Sequence, residues 1–268
     1  MGALGVEVRC LAHGAAGPLE RDGIAWEPVP LGAAVPAGAV AVLDGAATAH
    51  GRKVVRFHDG GSLAPGAALV IAPIAARVEA GGAEWLGGLE HACLRAMFWD
   101  LPPARVRPQV RRVLVTTGAG ADGDALAESL AGALPAALPG AEIGVVRGPF
   151  SALRAPEGVA LLDAPASLRT PLLDADLVVA TAGQTSLEAA ACGTPAVLVA
   201  LDQPQAEQAE RLAAAGAAVV ARPEDAAAAA VALASDAAAR GRMAAAGQAA
   251  VDGCGALRVA ERIGALSP

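Results

Sequence analysis

One stretch of the sequence, residues 176–212, combines polar groups with the pattern of a strand, a helix and a second strand. An apolar run of strand length follows Asp176 and breaks at Gly183. The segment 185–192 then continues without glycine or proline, as a helix requires, and the apolar segment 196–201 predicts a second buried strand. The stretch therefore predicts a parallel βαβ unit.

The start of this helix is a candidate phosphate-binding site. Thr185 or Ser186 can cap the helix, and Glu188 lies close enough to complete a capping box. The free N–H groups and the positive dipole end suit a phosphate, while Glu188 can accept hydrogen bonds from ribose hydroxyls. Gly183 and Gln184 complete the predicted site. The alternative is a βα turn that needs its glycine for geometry and binds nothing, because short glycine motifs often mislead.

A second group of polar residues follows the second strand. Gln203, Gln205 and Gln208 come just beyond its carboxyl end, where ligands bind in open α/β sheets. Their amides can contact sugar hydroxyls or an N-acetyl group. A solvated helix start explains the same three residues without a ligand.

The stretch from Asp176 through these glutamines resembles the nucleotide-sugar half of MurG-like GT-B enzymes. It is closer still to the PseG/SpsG group of UDP-sugar hydrolases and spore-coat polysaccharide proteins. Residues 86–98 are similar to the group's interdomain LG…Y-x-x-L-R-x-x-F segment, with His91 where the aromatic is usual. Residues 113–120 resemble the strand and GG turn that open its second domain, and residues 252–258 resemble its closing DG-x-GA-x-R helix.

The resemblance covers residues 84–268 well and the first 80 residues loosely. It implies a GT-B-like α/β fold, in which two Rossmann-like doubly wound domains face a cleft and the N-terminal domain is reduced. On the donor side, Gly118 and Gly120 would let the backbone approach a phosphate or sugar, and residues 163–165 would lie under the uracil. The expected substrate is a UDP-sugar, and no cofactor and no metal are expected.

The resembling hydrolases carry G-x-G-H in their first βα turn, and its histidine is taken to activate water. This sequence contains no G-x-G-H. Residues 9–12 can match the segment that follows the family's histidine, which leaves no base. Alternatively, residues 6–29 match the family's second strand and helix, and the first βα unit is absent; we prefer this alignment. A third possibility is that the missing unit lies upstream of Met1.

Three residues remain as candidates for a catalytic base. His13 and His58 lie at or near predicted strand ends, and Asp44 ends another predicted strand. Ordinary packing explains the histidines equally well, and strand-end turn chemistry explains the aspartate.

Composition argues against several classes of protein. The net charge of −7 without a basic stripe argues against nucleic-acid binding. Hydrophobic residues make up 54% of the chain, but no run of about 18 apolar residues predicts a membrane span. The first ten residues lack a signal-peptide layout, which predicts a cytoplasmic protein. The four cysteines are scattered without metal-ligand spacing, so free thiols are predicted.

Short strands dominate the first part of the chain, and strands alternate with helices in the second, which predicts a parallel sheet. Residues 76–110 are predicted to be a linker region with one helix. The predicted domains are 1–105, a reduced N-terminal domain with the linker, and 106–268, the nucleotide-sugar-binding domain. Early strands are predicted at 6–12, 24–29, 40–43, 54–58 and 68–72, and later ones at 112–117, 142–147, 158–162 and 217–221 besides the two of the βαβ unit.

The sequence thus predicts a glycosyltransferase-like or UDP-sugar-hydrolase-like enzyme of surface-polysaccharide or related sugar biosynthesis. The missing G-x-G-H keeps an alternative open, a non-catalytic nucleotide-sugar-binding protein or partner subunit. A homo-oligomer or a complex with a partner enzyme is compatible with either function.

Overall fold

The computed structural model of the protein describes residues 10–12, 26–28, 40–43, 53–63, 65–118 and 121–266. The chain forms two compact units. The first contains residues 1–91 and 256–268, and the second contains residues 92–255. The C-terminal helix therefore groups with the N-terminal part of the chain. The predicted division into folding domains at residue 105 stays a prediction.

The first unit is built on short parallel strands. β1 (Cys10–Ala12) pairs with β2 (Trp26–Pro28), and a separate sheet has the order β3-β4-β5-β6. Val55 of β4 and all of β5 are fully buried, because a parallel strand in the middle of a sheet is covered on both faces. The bounds are β3 Ala41–Leu43, β4 Val54–Phe57, β5 Leu69–Ala72 and β6 Glu84–Gly87.

Strand β6 corrects the sequence prediction of a linker region with one helix at 76–110. The four residues Glu84–Gly87 are too short and too mixed to predict a strand, and they form one because they pair in register with β5. The expected helix is reduced to two 3₁₀ turns, Leu89–His91 and Ala96–Phe98. A ring nitrogen of His91 lies 2.9 Å from the carbonyl oxygen of Gly87.

Helix α7 (Gly255–Ala265), which closes the chain, is tied to this unit by its arginines. Arg262 forms a salt bridge with Glu84 of β6, and Arg258 donates to the carbonyl oxygen of Glu90 at 2.8 Å.

The second unit holds a six-stranded parallel sheet with the order β12-β11-β10-β7-β8-β9, which is the strand order of a Rossmann fold. The strands are β7 Arg112–Thr116, β8 Glu142–Arg147, β9 Ala160–Asp163, β10 Leu177–Thr181, β11 Ala196–Val199 and β12 Val219–Val220. The helices are α1 Asp124–Ala137, α2 Arg169–Asp174, α3 Gln184–Cys192, α4 Gln203–Ala214, α5 Ala226–Ser235 and α6 Ala237–Ala250.

The core of this unit lies on one face of the sheet, the face that carries the odd-numbered residues of the central strands. Val115, Val179 and Val197 are fully buried there against Leu130 and Ala230, which belong to α1 and α5. Right-handed crossovers place α3 on the opposite face from α1, because the chain moves across the sheet in opposite directions after β7 and after β10. In the part of the chain that the structure describes, no helix is both long and apolar enough to cross a membrane.

Helix α3 is almost wholly buried, because its alanines allow neighbouring elements to come close. It packs against α2 and α6 as well as the sheet. A Cβ atom at Gly247 of α6 would collide with the backbone of Ala190, so this contact requires glycine. The helix ends at Gly193, whose φ of 67° is the left-handed conformation typical of a helix C-terminus, as the sequence predicts. The carboxyl-terminal part of α3 is therefore held closely against α6.

Candidate functional site

The candidate site lies at the carboxyl edge of the six-stranded sheet, where the strand order reverses. β7 and β10 are neighbours, and the chain leaves them toward opposite sides of the sheet. Thr116 pairs with Ala180, so Gly118 and Gly183 follow the two strands on the same edge. Open α/β sheets bind ligands in the crevice at this switch point.

The tip of α3 differs in detail from the predicted capping box. Gly183 is the N-cap residue, with φ −101° and ψ −158°, and no side chain caps the helix. Because the helix begins at Gln184, Ser186 lies inside its first turn and donates to the Gly183 carbonyl oxygen at 2.8 Å. Glu188 takes no part in capping. Thr185 is partly exposed, and the space that a Cβ of Gly183 would point into is open.

A buried glutamine braces this tip from α4. The Gln208 side-chain amide donates to the Gly183 carbonyl oxygen and to Ser186 Oγ, both at 2.6 Å. Only 6% of Gln208 is exposed. The brace uses a carbonyl and a hydroxyl, so no side chain caps the N–H groups of the helix tip, although the Ser186 N–H donates to the Gly183 carbonyl oxygen at 2.9 Å. A fixed, uncapped helix N-terminus is suited to hold an anion.

Glu188, one turn into α3, is a buried carboxylate with little hydrogen bonding. Its side chain is 5% exposed, and Arg95 Nη2 lies 3.3 Å from Oε1. Within the described residues, Arg95 is the one group that donates to it. Burial raises the pKa of Glu188, and the charge and hydrogen bond of Arg95 partly oppose that rise. A buried carboxylate ordinarily needs several donors, so this one can accept from ligand hydroxyls.

The segment that carries Arg95 also contacts two other parts of the site. Gln184 is exposed, and its amide donates to the Cys93 carbonyl oxygen at 3.2 Å. Arg95 Nη1 donates to the Ala166 carbonyl oxygen at 3.4 Å, in the loop that follows β9. Sequence reasoning missed Arg95 as a site residue. Its signal was the arginine of the L-R-x-x-F segment, which carries no chemistry until Glu188 is known to lie beside it.

The turn after β7 contains a motif that sequence reasoning also missed. Gly118, Gly120 and Gly123 have the spacing G-x-G-x-x-G, after a strand and before a helix. Gly118 has a φ of 102°, and a Cβ at Gly123 would collide with the Thr117 carbonyl oxygen. These are the turn and helix-packing roles of the motif's first and third glycines. Gly120 lies outside the described residues.

The end of β8 distinguishes this site from an NAD-binding site. NAD-binding folds place a carboxylate near this position to hold the ribose. Here the residue is Arg147, which forms a bidentate pair with Asp163 at 2.8 and 2.5 Å. Ala164, which follows Asp163, has a φ of 39° and is the only non-glycine residue with positive φ in the described ranges. An unusual backbone conformation at the predicted uracil-binding loop fits a functional position.

The other two predicted glutamines lie at the start of α4, which begins at Gln203. Asp202 caps this helix by accepting from the Gln205 N–H at 2.8 Å. The Gln205 side chain bonds back to Asp202 and to the Leu201 N–H, so its amide is engaged locally. Gln203 is exposed, 3.5 Å from Glu207.

His58 is the one predicted base that falls within the described residues. It follows β4, is 5% exposed, and packs edge-on against Trp85 with ring centroids 5.8 Å apart. Its Nε2 atom is buried without a hydrogen-bond partner. His13 and Asp44 lie outside the described residues. No group of potential metal ligands occurs in the described parts of the chain.

No protein-family model matches the sequence, and no curated protein matches it. Solved structures do match. MurG of Acinetobacter baumannii is 18% identical with a TM-score of 0.55, over 80% of this chain and 67% of that chain. The calicheamicin glycosyltransferase CalG4 is 23% identical with a TM-score of 0.54, over 75% and 54%. The spinosyn rhamnosyltransferase SpnG, complexed with thymidine diphosphate, is 20% identical with a TM-score of 0.50, over 78% and 67%.

The chain spans about half to two thirds of the length of these structures. The likenesses show a GT-B glycosyltransferase-like α/β fold, and they confirm the predicted fold class with its parallel sheet and Rossmann-like strand order.

Proposed function

We propose that this protein binds a nucleoside diphosphate sugar, with a UDP-sugar as the expected donor, at the carboxyl edge of the six-stranded sheet. The observation that carries the proposal is Glu188, a buried carboxylate with one long hydrogen bond, one turn inside an uncapped helix tip. Ribose hydroxyls would supply the missing donors. The N–H groups of α3 would hold the diphosphate beside Gly118.

The chemistry follows from where the charge develops. As the anomeric bond breaks, negative charge grows on the departing diphosphate, and the N–H groups and dipole of α3 would stabilise it. Gln203, exposed at the start of α4, would contact the sugar, while Gln208 would keep the tip of α3 in place. The resulting activity is that of a glycosyltransferase-like or UDP-sugar-hydrolase-like enzyme.

Three lines of support differ in strength. The GT-B-like fold supports sugar transfer in general, and the neighbour SpnG was solved with thymidine diphosphate, a ligand of the same class. The choice of UDP, of hydrolysis and of polysaccharide biosynthesis rests on the resemblance of residues 176–212 to the PseG/SpsG group.

A binding protein without catalysis is the second candidate, because the sequence lacks G-x-G-H and the Nε2 atom of His58 is buried. Such a protein would act with a second copy or a partner enzyme.

Calorimetry with UDP, UDP-GlcNAc and thymidine diphosphate tests binding, and NADH serves as the control ligand. We expect UDP or UDP-sugar binding that Glu188→Ala weakens. Failure of all three ligands to bind would refute the donor site. A product assay with UDP-GlcNAc then separates the two candidates: turnover supports the enzyme, and tight binding without turnover supports the binding protein.

A further inference from the structure

The segment 93–95 runs along one face of α3. Its Cys93 carbonyl accepts from Gln184, and its Arg95 side chain reaches Glu188. Gln184 and Glu188 are four residues apart and therefore share a helix face. The segment thus follows α3 from its tip to the buried carboxylate.

We propose that Arg95 is a positioning residue of the nucleotide site, which holds Glu188 in its charged, ribose-accepting form and ties it to the loop after β9. The inference rests on the proposed function, since it assumes that Glu188 receives the nucleotide.

The geometry fits a positioning role. The guanidinium reaches the Glu188 carboxylate with Nη2 and the Ala166 carbonyl oxygen with Nη1. Its central carbon lies 5.9 Å from the ring centroid of Phe98, which is fully buried. One side of the side chain is therefore anchored, while 48% of it remains exposed. Arg95 therefore links the loop after β9, which is predicted to lie under the uracil, to Glu188, the carboxylate predicted to bind the ribose.

The electrostatics point the same way. Burial raises the pKa of Glu188, and Arg95 is the group that opposes this rise. Two other groups lie near. Burial raises the pKa of Cys192, further along α3, to about 12, so the thiol stays neutral. The charge of Arg169, in α2, lowers the pKa of Cys192 and so partly opposes that rise. Without Arg95, Glu188 would protonate at higher pH, and a protonated carboxyl accepts hydroxyl hydrogen bonds less well.

The test is UDP affinity measured by calorimetry from mildly acidic to mildly alkaline pH. In the wild type, affinity should fall on the acidic side as Glu188 protonates. Arg95→Ala and Arg95→Gln should both weaken binding about tenfold at neutral pH and move this acidic fall to higher pH. Arg95→Lys should restore most of the wild-type profile. Glu188→Gln should bind weakly and keep only the acidic fall that comes from protonation of the terminal phosphate of UDP, and Arg242→Ala, an exposed arginine of α6, should match the wild type.

A second readout needs no nucleotide. The carboxyl carbon of Glu188, assigned by its loss in Glu188→Gln, can be titrated by ¹³C NMR in the free protein. Its pKa should rise in Arg95→Ala and Arg95→Gln. If the folded Arg95 variants keep the wild-type titration or the wild-type binding profile, the inference is wrong even though UDP binds. If the wild type binds no nucleotide, the proposed function fails, the positioning role fails with it, and the NMR shift shows only an ion pair.

Discussion

Two buried carboxylates of the same βαβ unit have opposite surroundings. Asp176, at the amino end of β10, has a side chain that is 1% exposed and accepts from Arg107 at 2.6 Å and from the N–H groups of Arg111 and Arg112 at 2.8 and 3.0 Å. Glu188 is 5% exposed and accepts from Arg95 alone in the described structure, at 3.3 Å.

The number of hydrogen-bond donors separates Asp176, a carboxylate that stabilises the fold, from Glu188, a carboxylate that is a candidate for binding a ligand. Asp176 has the donors that a buried carboxylate needs, so its interactions hold the start of β10 to the start of β7. Glu188 has a deficit of donors at the edge of the sheet where ligands bind. Arg240 resembles Asp176 in being buried with several hydrogen bonds, because it is fully buried and donates to four backbone carbonyls, although its Nε atom has no hydrogen-bond partner among the described residues.

The largest effect is expected at Asp176. Asp176→Ala leaves two N–H groups without their acceptor and the half-exposed Arg107 without its partner, and should lower the free energy of unfolding by about 2–5 kcal/mol. Urea denaturation measures the change. Asp174→Ala is the matched control, because Asp174 is 55% exposed and 3.7 Å from Arg112, and should cost about 0–1 kcal/mol. Equal losses in the two variants would remove the structural assignment of Asp176.

At Glu188 the effect should appear in binding. Glu188→Ala should weaken UDP binding by about 1–3 kcal/mol, because charge-assisted bonds to the ribose are lost. Calorimetry measures the change, and Asp202→Ala, which removes a helix cap on α4, controls for a general loosening of the site. An unchanged affinity would show that Glu188 is not part of a ribose site.

The two arginine partners should differ in the same way. Arg107→Ala should lower the free energy of unfolding by about 1–2 kcal/mol, since Asp176 keeps its two N–H donors. Arg95→Ala should change it by less than about 0.5 kcal/mol, because that pair is half exposed and long. Thermal and urea denaturation of the two variants measure these changes in the free energy of unfolding. A larger loss for Arg95→Ala would mean that Arg95 is a structural residue.

The smallest effect is the pH dependence of stability. The pKa of Glu188 in the folded protein lies above its ordinary value of 4.5, so the folded state holds the proton more tightly. Glu188 therefore adds stability below pH 4.5, and this contribution is lost as the pH rises through the folded pKa. At a pH above the folded-state pKa of Glu188, Glu188→Gln should be more stable than the wild type. Below pH 4.5 this difference should disappear. Parallel pH profiles of unfolding for the two proteins would contradict the assignment.

The sequence by itself determined the alternation of strands and helices after residue 110 and most element positions. The apolar run after Asp176 matches β10, whose five residues are all buried, because a central parallel strand is apolar on both faces. It also determined the glycine turns, since Gly118 and Gly193 adopt conformations that other residues avoid. These features depend on neighbours in the chain.

Only the tertiary structure decided the roles of individual polar residues. Strand β6 exists through pairing with β5, and Gln208 is an internal brace because the fold brings its side chain to Gly183 and Ser186. Nothing in the pattern around Asp176 and Glu188 shows that one has three donors and the other one. Their partners lie more than sixty residues away in sequence, and the hydrogen bonding of a buried charge depends on which distant groups the fold brings to it.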